Sequence, residues 1–226
     1  MSDQFDQWAK FYSEADSNVL RYPSQSLVRI MKGDYIPHME KDYKDKKVLD
    51  LGFGHGNNLL FLYQLGFSLY GVEIHQEICS LISKKLSREG IESDLRWGTN
   101  RKIPFPDNEF DFLVSWDVIH YEGNDENIRL SIKEYHRVLK PGGRILLSTV
   151  APESSVLRSA KIVGPHSYSI AREDDFRKGE VFFCFDSPDY IKHYFSSMFR
   201  DIHVGRSTDI LFKETVDSFV ATGLKE

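Results

Sequence analysis

The residues best placed to do chemistry begin with Asp50 and three glycines at alternate positions, in the stretch Val48-Leu49-Asp50-Leu51-Gly52-Phe53-Gly54-His55-Gly56-Asn57-Asn58. The apolar run before the glycines reads as a buried strand, and the apolar segment after them, which ends at Gly66, reads as a helix. Strand, glycine turn and helix in that order make a nucleotide-type cofactor site in an open α/β sheet. Glycine has no Cβ, so the turn can be tight and a ligand can lie against bare backbone. The helix behind it offers free N–H groups to an anionic group. A second acid, Glu73, closes the strand-like run Ser68–Val72, about 20 residues beyond the first glycine. Its two oxygens match the two hydroxyls of a ribose; the plainer alternative is an exposed glutamate favouring a helix start. A third group, Trp116, Asp117 and His120, follows a strand at Phe110–Ser115. His120 titrates near neutral pH and can take a proton from an attacking hydroxyl or amine, or it can fix its loop by hydrogen bonds. Both roles stand on the sequence.

The glycine spacing is G-x-G-x-G, because a dinucleotide fingerprint would need its third glycine at Asn57. No lysine follows in phosphate-loop position. With an acid two residues before the first glycine, the stretch resembles the first motif of the class I S-adenosylmethionine-dependent methyltransferases. Gly98–Asp111 is similar to a second segment of their small-molecule members, G-D-A-x-x-L-P-F-x-D-x-x-F-D. It keeps Pro104-Phe105, Asp107-Asn108 and Phe110-Asp111 but places Thr99 and Asn100 where Asp and Ala usually stand. Leu139-Lys140-Pro141-Gly142-Gly143 is a third hallmark, structural rather than chemical, its glycines supplying a helix C-cap and a tight turn before the next strand. Trp8 and Tyr12 have the W-x-x-x-Y spacing of an N-terminal lid in such enzymes.

The resemblance implies S-adenosylmethionine as cofactor. It implies contacts from Asp50, Gly52, Gly54, Gly56, Glu73, Ile74, Thr99, Asn100, Trp116, Asp117 and Tyr12, with His120 as candidate base and no metal. The turn would cradle the methionine part, and Asn100 or Thr99 would hydrogen-bond adenine, since Asn carries both donor and acceptor. It implies a Rossmann-like α/β fold: a seven-stranded, mostly parallel sheet with an antiparallel C-terminal edge strand and helices on both faces. The implied reaction moves the sulfonium methyl to a small-molecule acceptor by direct displacement. Two other functions fit less of the chain: a regulator that binds S-adenosylmethionine without transfer, and an NAD-dependent oxidoreductase, which the misplaced third glycine disfavours.

The elements that must position these residues follow from periodicity. Helices are expected over Ser24 to about Glu40, His75–Leu86, Asp125–Leu139 and from Pro188, and strands at Ser93–Trp97, Ile145–Val150, Arg200–Gly205 and Val216–Thr222. At 226 residues the expectation is one domain, with a lid segment over about 1–40 and an acceptor-side insertion over about 151–187, where His166, Tyr168 and Arg172 are candidate ligands and the plainer alternative is a surface loop plus a short strand. A net charge of −5 argues against a nucleic-acid partner. Two cysteines without metal spacing, no signal segment and no membrane-length apolar run point to a cytoplasmic protein, monomer or homodimer.

Overall fold

The computed structural model describes residues 22–226. A helix α1 (Gln25–Lys32) precedes an alternating run of β1 (Lys47–Leu51), α2 (Asn57–Gln64), β2 (Ser68–Glu73), α3 (Gln76–Arg88), β3 (Ser93–Trp97), β4 (Phe110–Trp116), α4 (Asp125–Val138) and β5 (Leu139–Val150). Three short strands follow, β6 (Lys161–Gly164), β7 (Ser167–Ser169) and β8 (Val181–Phe183). Then come α5 (Pro188–Phe195) and a long hairpin, β9 (Phe199–Leu211) and β10 (Glu214–Lys225).

The main sheet has the order β3-β2-β1-β4-β5-β10-β9. The first five strands are parallel, and β10 runs antiparallel to both β5 and β9, leaving β9 at the edge. The seven-stranded, mostly parallel sheet read from the sequence is therefore present. Strand order reverses between β1 and β4, which opens a crevice at their carboxyl ends. Register brings the key positions level there: Leu51 pairs with Val72 on one side and Ser115 on the other, and Glu73 with Trp97.

Side-chain alternation builds a core on each face. Leu49, Leu51 and Leu113 point to one face and pack with Ile128, Ile132 and Tyr135 of α4 and Ile191 and Phe195 of α5. Val48, Phe112 and Val114 point to the other and pack with Leu27 and Met31 of α1, Leu59 and Leu62 of α2 and Ile78 and Ile82 of α3. Asn124 caps α4, its Oδ1 accepting from Asn127 N at 3.0 Å, and Asp125 and Glu126 favour the same end through the helix dipole. Ser187 caps α5 ahead of Pro188.

Three expectations are corrected. The first helix stops at Lys32 rather than near Glu40, because Gly33 is extended and Pro37 follows before another turn could form. Ser24 occupies its cap position but makes no side-chain cap bond. The Lys140–Gly143 phrase does not cap α4: Leu139 is already extended and pairs with Phe110, so the left-handed Gly142 makes a turn inside β5. Finally, residues 151–187 carry an antiparallel three-stranded sheet, not one short strand. It is seated over the carboxyl end of β4, where Phe182 stacks on His120 and Val181 crowds Gly123. Among the described residues, no helix is long and apolar enough to cross a membrane.

Candidate cofactor and acceptor site

Strand β1, buried through its last four positions, delivers the glycine turn to the crevice. Gly52, Gly54 and Gly56 have φ of 63°, 51° and 78°, all left-handed. An L side chain at any of them is strained, and at Gly52 a Cβ would also lie 2.6 Å from Val118 Cγ2. The alternate glycines are thus a backbone requirement. Gly52 N donates to Val72 O at 2.8 Å and Gly56 N to Phe53 O at 2.8 Å, so the turn is held by its own backbone. Helix α2 starts on Gly56 with no side-chain cap. Ser24 N donates to Asn58 Oδ1 at 3.2 Å and ties α1 to this corner.

Glu73 closes the turn from the next strand. Its Oε2 accepts from Gly54 N at 3.0 Å and its Oε1 from Ile74 N at 2.7 Å. Burial raises its pKa, and the two backbone N–H groups work against that rise. Each oxygen keeps lone pairs for a further donor, so a vicinal diol fits the carboxylate. Asp50 lies deeper, 1% exposed, and its Oδ2 has no hydrogen-bond partner among the described residues. Burial pushes its carboxyl well up, with the Glu73 charge adding to the effect. An orphaned buried acceptor beneath a bare glycine turn, beside an acid with spare acceptor capacity, fits a ligand bearing hydroxyl and cationic groups.

The next loop is bound to itself. Thr99 and Lys102 exchange backbone bonds at 3.2 and 3.1 Å. Asn100 Nδ2 donates to Glu122 Oε1 at 3.0 Å, and Tyr135 Oη donates to Asn100 Oδ1 at 2.9 Å. Arg101 completes the cluster at 2.8 Å from the other Glu122 oxygen. The Asn100 amide is therefore engaged through both its nitrogen and its oxygen by Glu122 and Tyr135. Trp97 and Glu122 were not singled out by sequence. Trp97 Nε1 holds Ile74 O at 3.0 Å, and its position at the end of β3 was the available signal.

At the end of β4, Asp117 has φ of 57°, uncommon for a non-glycine residue and typical of a residue held for a purpose. Its N donates to Ser148 Oγ at 2.8 Å, and the same hydroxyl donates to Asp117 Oδ1 at 2.7 Å. Asp117 stays solvent-accessible while protein surrounds it, as at the floor of a cleft. The enclosing protein raises its carboxyl and the Ser148 bond opposes that rise. A cavity of about 130 Å³ opens there, lined by Asp117, Trp116, Ser148, Ser24, Arg29 and Asp209. Ser148, 1% exposed, is the positioning residue that sequence missed, since its partner lies 31 residues away.

His120 is 4% exposed. Val150 N donates to its Nδ1 at 3.4 Å, and its ring packs on Tyr121 and Phe182 with centroids 4.6 and 4.4 Å away. Burial, reinforced by the Arg177 charge, lowers its pKa to about 3. An imidazole of that basicity is a poor proton acceptor, and of its two roles the geometry favours fixing the loop. His166 Nδ1 lies 3.1 Å from Asp186, Tyr168 packs against the Val150–Phe182 cluster, and Arg172 is paired with Asp174 and Glu214. None of the three is brought to the cavity lined by Asp117. Trp8 and Tyr12 lie outside the described residues.

Residues 49–147 match the family model for a methyltransferase domain. An uncharacterized methyltransferase of Bacillus subtilis is 32% identical over 115 residues, covering 50% of this chain and 44% of that protein. One of Geobacillus kaustophilus is 28% identical over 149 residues, 66% of each. The chain thus spans about half to two thirds of the length of the curated relatives it matches. Among solved structures, an S-adenosylmethionine-dependent methyltransferase of Methanosarcina mazei superposes with a TM-score of 0.71 at 17% identity, over 91% of this chain and 99% of that one. By the domain match and the curated relatives, residues 49–147 of this chain are similar to methyltransferase domains, and the fold is shared with S-adenosylmethionine-dependent methyltransferases.

Proposed function

We propose that the protein transfers a methyl group from S-adenosylmethionine to a small, polar acceptor molecule. The observation that carries this is the left-handed glycine turn clamped to Glu73 through Gly54 N at the carboxyl edge of the sheet. Bound there, S-adenosylmethionine supplies an electrophilic methyl on a positively charged sulfur. Glu73 accepts hydroxyl hydrogens, the glycine turn admits the ligand against backbone, and the Asp50 carboxyl lies beneath it. Trp116 walls the neighbouring cavity, and the open oxygen of Asp117 receives an N–H or O–H of the acceptor. Ser148 holds that carboxylate in place. Rate acceleration then rests mainly on bringing two bound partners into line. His120 serves as a positioning residue through Val150 N. A didemethyltoxoflavin N1-methyltransferase of Burkholderia thailandensis, solved with S-adenosylhomocysteine and its acceptor, shares the fold with a TM-score of 0.67 at 14% identity, over 99% of this chain and 86% of that one. Its small polar acceptor supports the same class here. The acidic net charge further supports a small molecule over nucleic acid.

The test is incubation with methyl-labelled S-adenosylmethionine and a fractionated extract of cell metabolites. The expected result is label in a low-mass polar compound, lost in Asp117→Ala while S-adenosylhomocysteine still binds. Tight cofactor binding with no labelled product from any fraction would replace transfer by a regulatory, binding-only role.

A further inference from the structure

The amino edge of the sheet, opposite the glycine turn, holds a second cavity of about 280 Å³. It is lined by Arg144, Lys140, Lys46, Asp111, Glu40 and Gly142. Arg144 pairs in register with Phe112 of β4, about 13 Å along that strand from Trp116 at ~3.3 Å per residue. The cavity is therefore separate from the cofactor and acceptor site.

Its charges are unequal in their pairing. Lys140 donates to both oxygens of Asp111 at 2.8 Å, and Lys46 is paired with Glu40. Arg144 is different. It is 7% exposed, and among the described residues its only side-chain hydrogen bond is from Nη1 to Thr222 Oγ1 at 3.2 Å. Among the described residues it has no ion-pair partner. Burial works against its charge, and the more distant Asp201 carboxylate works for it. A buried guanidinium is costly unless a counter-charge satisfies it, and a planar fork of N–H donors is shaped for a two-oxygen acceptor. Two of the three cations lining the cavity are matched by its two carboxylates, which leaves one positive charge in excess at Arg144.

We infer that this cavity binds a small oxyanion, the carboxylate or phosphate group of a metabolite, with the Arg144 guanidinium as its anchor. Lys140 and Lys46 flank the anion while remaining paired with Asp111 and Glu40. The inference does not rest on the proposed methyl transfer, because the site lies at the other edge of the sheet.

Calorimetric titration of the full chain with inorganic phosphate and, separately, with succinate tests it, at fixed ionic strength set by chloride. Saturable binding of at least one anion is expected, and the stronger arm identifies the source as phosphate or carboxylate. Arg144→Gln should weaken that binding about tenfold or more, as expected for loss of a charge-assisted fork. Thermal unfolding checks that the variant folds. Arg144→Lys keeps the charge but loses the fork, and should also weaken binding if the glutamine variant proves unstable. No saturable binding of either anion by the wild-type protein would overturn the inference, as would unchanged affinity in both variants.

Discussion

The polar groups of the glycine turn and those of the small sheet at residues 151–187 are satisfied in opposite ways. Among the described residues around the turn, Asp50 Oδ2 has no hydrogen-bond partner, Glu73 is bound only to backbone N–H groups, and Asp117 reaches a cavity through one carboxylate oxygen. In the small sheet the charges close on each other. Arg177 pairs with Asp175, Arg172 with Asp174 and Glu214, and Lys178 with Glu173. Buried polar groups left open need a ligand or water, whereas self-paired surface groups need neither. The turn is built to hold something; the small sheet is built to hold its own shape over the crevice.

Breaking the turn should have the largest effect. Gly52→Val places a β-branched side chain at a left-handed φ and against Val118, and should cost about 3 kcal/mol or more. Thermal unfolding should show a large drop, and S-adenosylhomocysteine binding should be lost. A variant that folds and binds normally would remove the backbone account of the glycines.

The next effect belongs to His120, where the two regions meet. Its folded pKa lies near 3 against 6.5 when unfolded, so its contribution to stability is intact above pH 6.5 and lost as pH falls toward 3. Between pH 6.5 and about pH 4 that loss is about 3 kcal/mol. His120→Gln should therefore flatten the acid side of the unfolding profile while leaving methyl transfer within about threefold, since a general base contributes at least 10²-fold. A transfer rate lowered at least a hundredfold, with the pH profile unchanged, would restore His120 as a base.

Asp117→Asn is smaller in stability and more selective in function. Asparagine also tolerates the left-handed region, so unfolding should shift by about 1 kcal/mol or less, while transfer to the acceptor falls about tenfold through loss of the carboxylate. The smallest effect is expected from Arg172→Ala in the small sheet. Its ion pairs are solvent-exposed, so neither the unfolding midpoint nor transfer should change measurably. A clear loss of transfer there would bring the small sheet into the acceptor site and erase the contrast.

How much of this was legible in the sequence differs along the same line. The glycine spacing was readable because left-handed φ leaves few residue choices at Gly52, Gly54 and Gly56. Glu73 was readable because it ends a strand next to that turn, and β3 because five residues stand between turn signals. The hydrogen bonds of the Asn100 amide could not be read locally, because its partners Glu122 and Tyr135 lie 22 and 35 residues away. Ser148 escaped notice for the same reason. His120 was readable as a loop residue but its burial was not, because Phe182, one of the rings packed on it, arrives from another sheet. The strands β6–β8 are only three or four residues long, so periodicity had little to register. The hairpin strands β9 and β10 run past their expected limits because mostly exposed residues, polar and apolar, continue the pairing to Leu211 and Glu214. Backbone demands are written locally; side-chain satisfaction is a tertiary property.

The central claim is that Glu73 and the glycine turn form the cofactor cradle. Calorimetric titration of the wild-type protein and of Glu73→Ala with S-adenosylhomocysteine, with NAD as the competing ligand, tests it most directly. The account expects saturable one-to-one binding of S-adenosylhomocysteine, none of NAD, and about tenfold or greater weakening in Glu73→Ala, as for lost hydrogen bonds to a charged group. Absence of S-adenosylhomocysteine binding, or equal affinity in the two proteins, would contradict it.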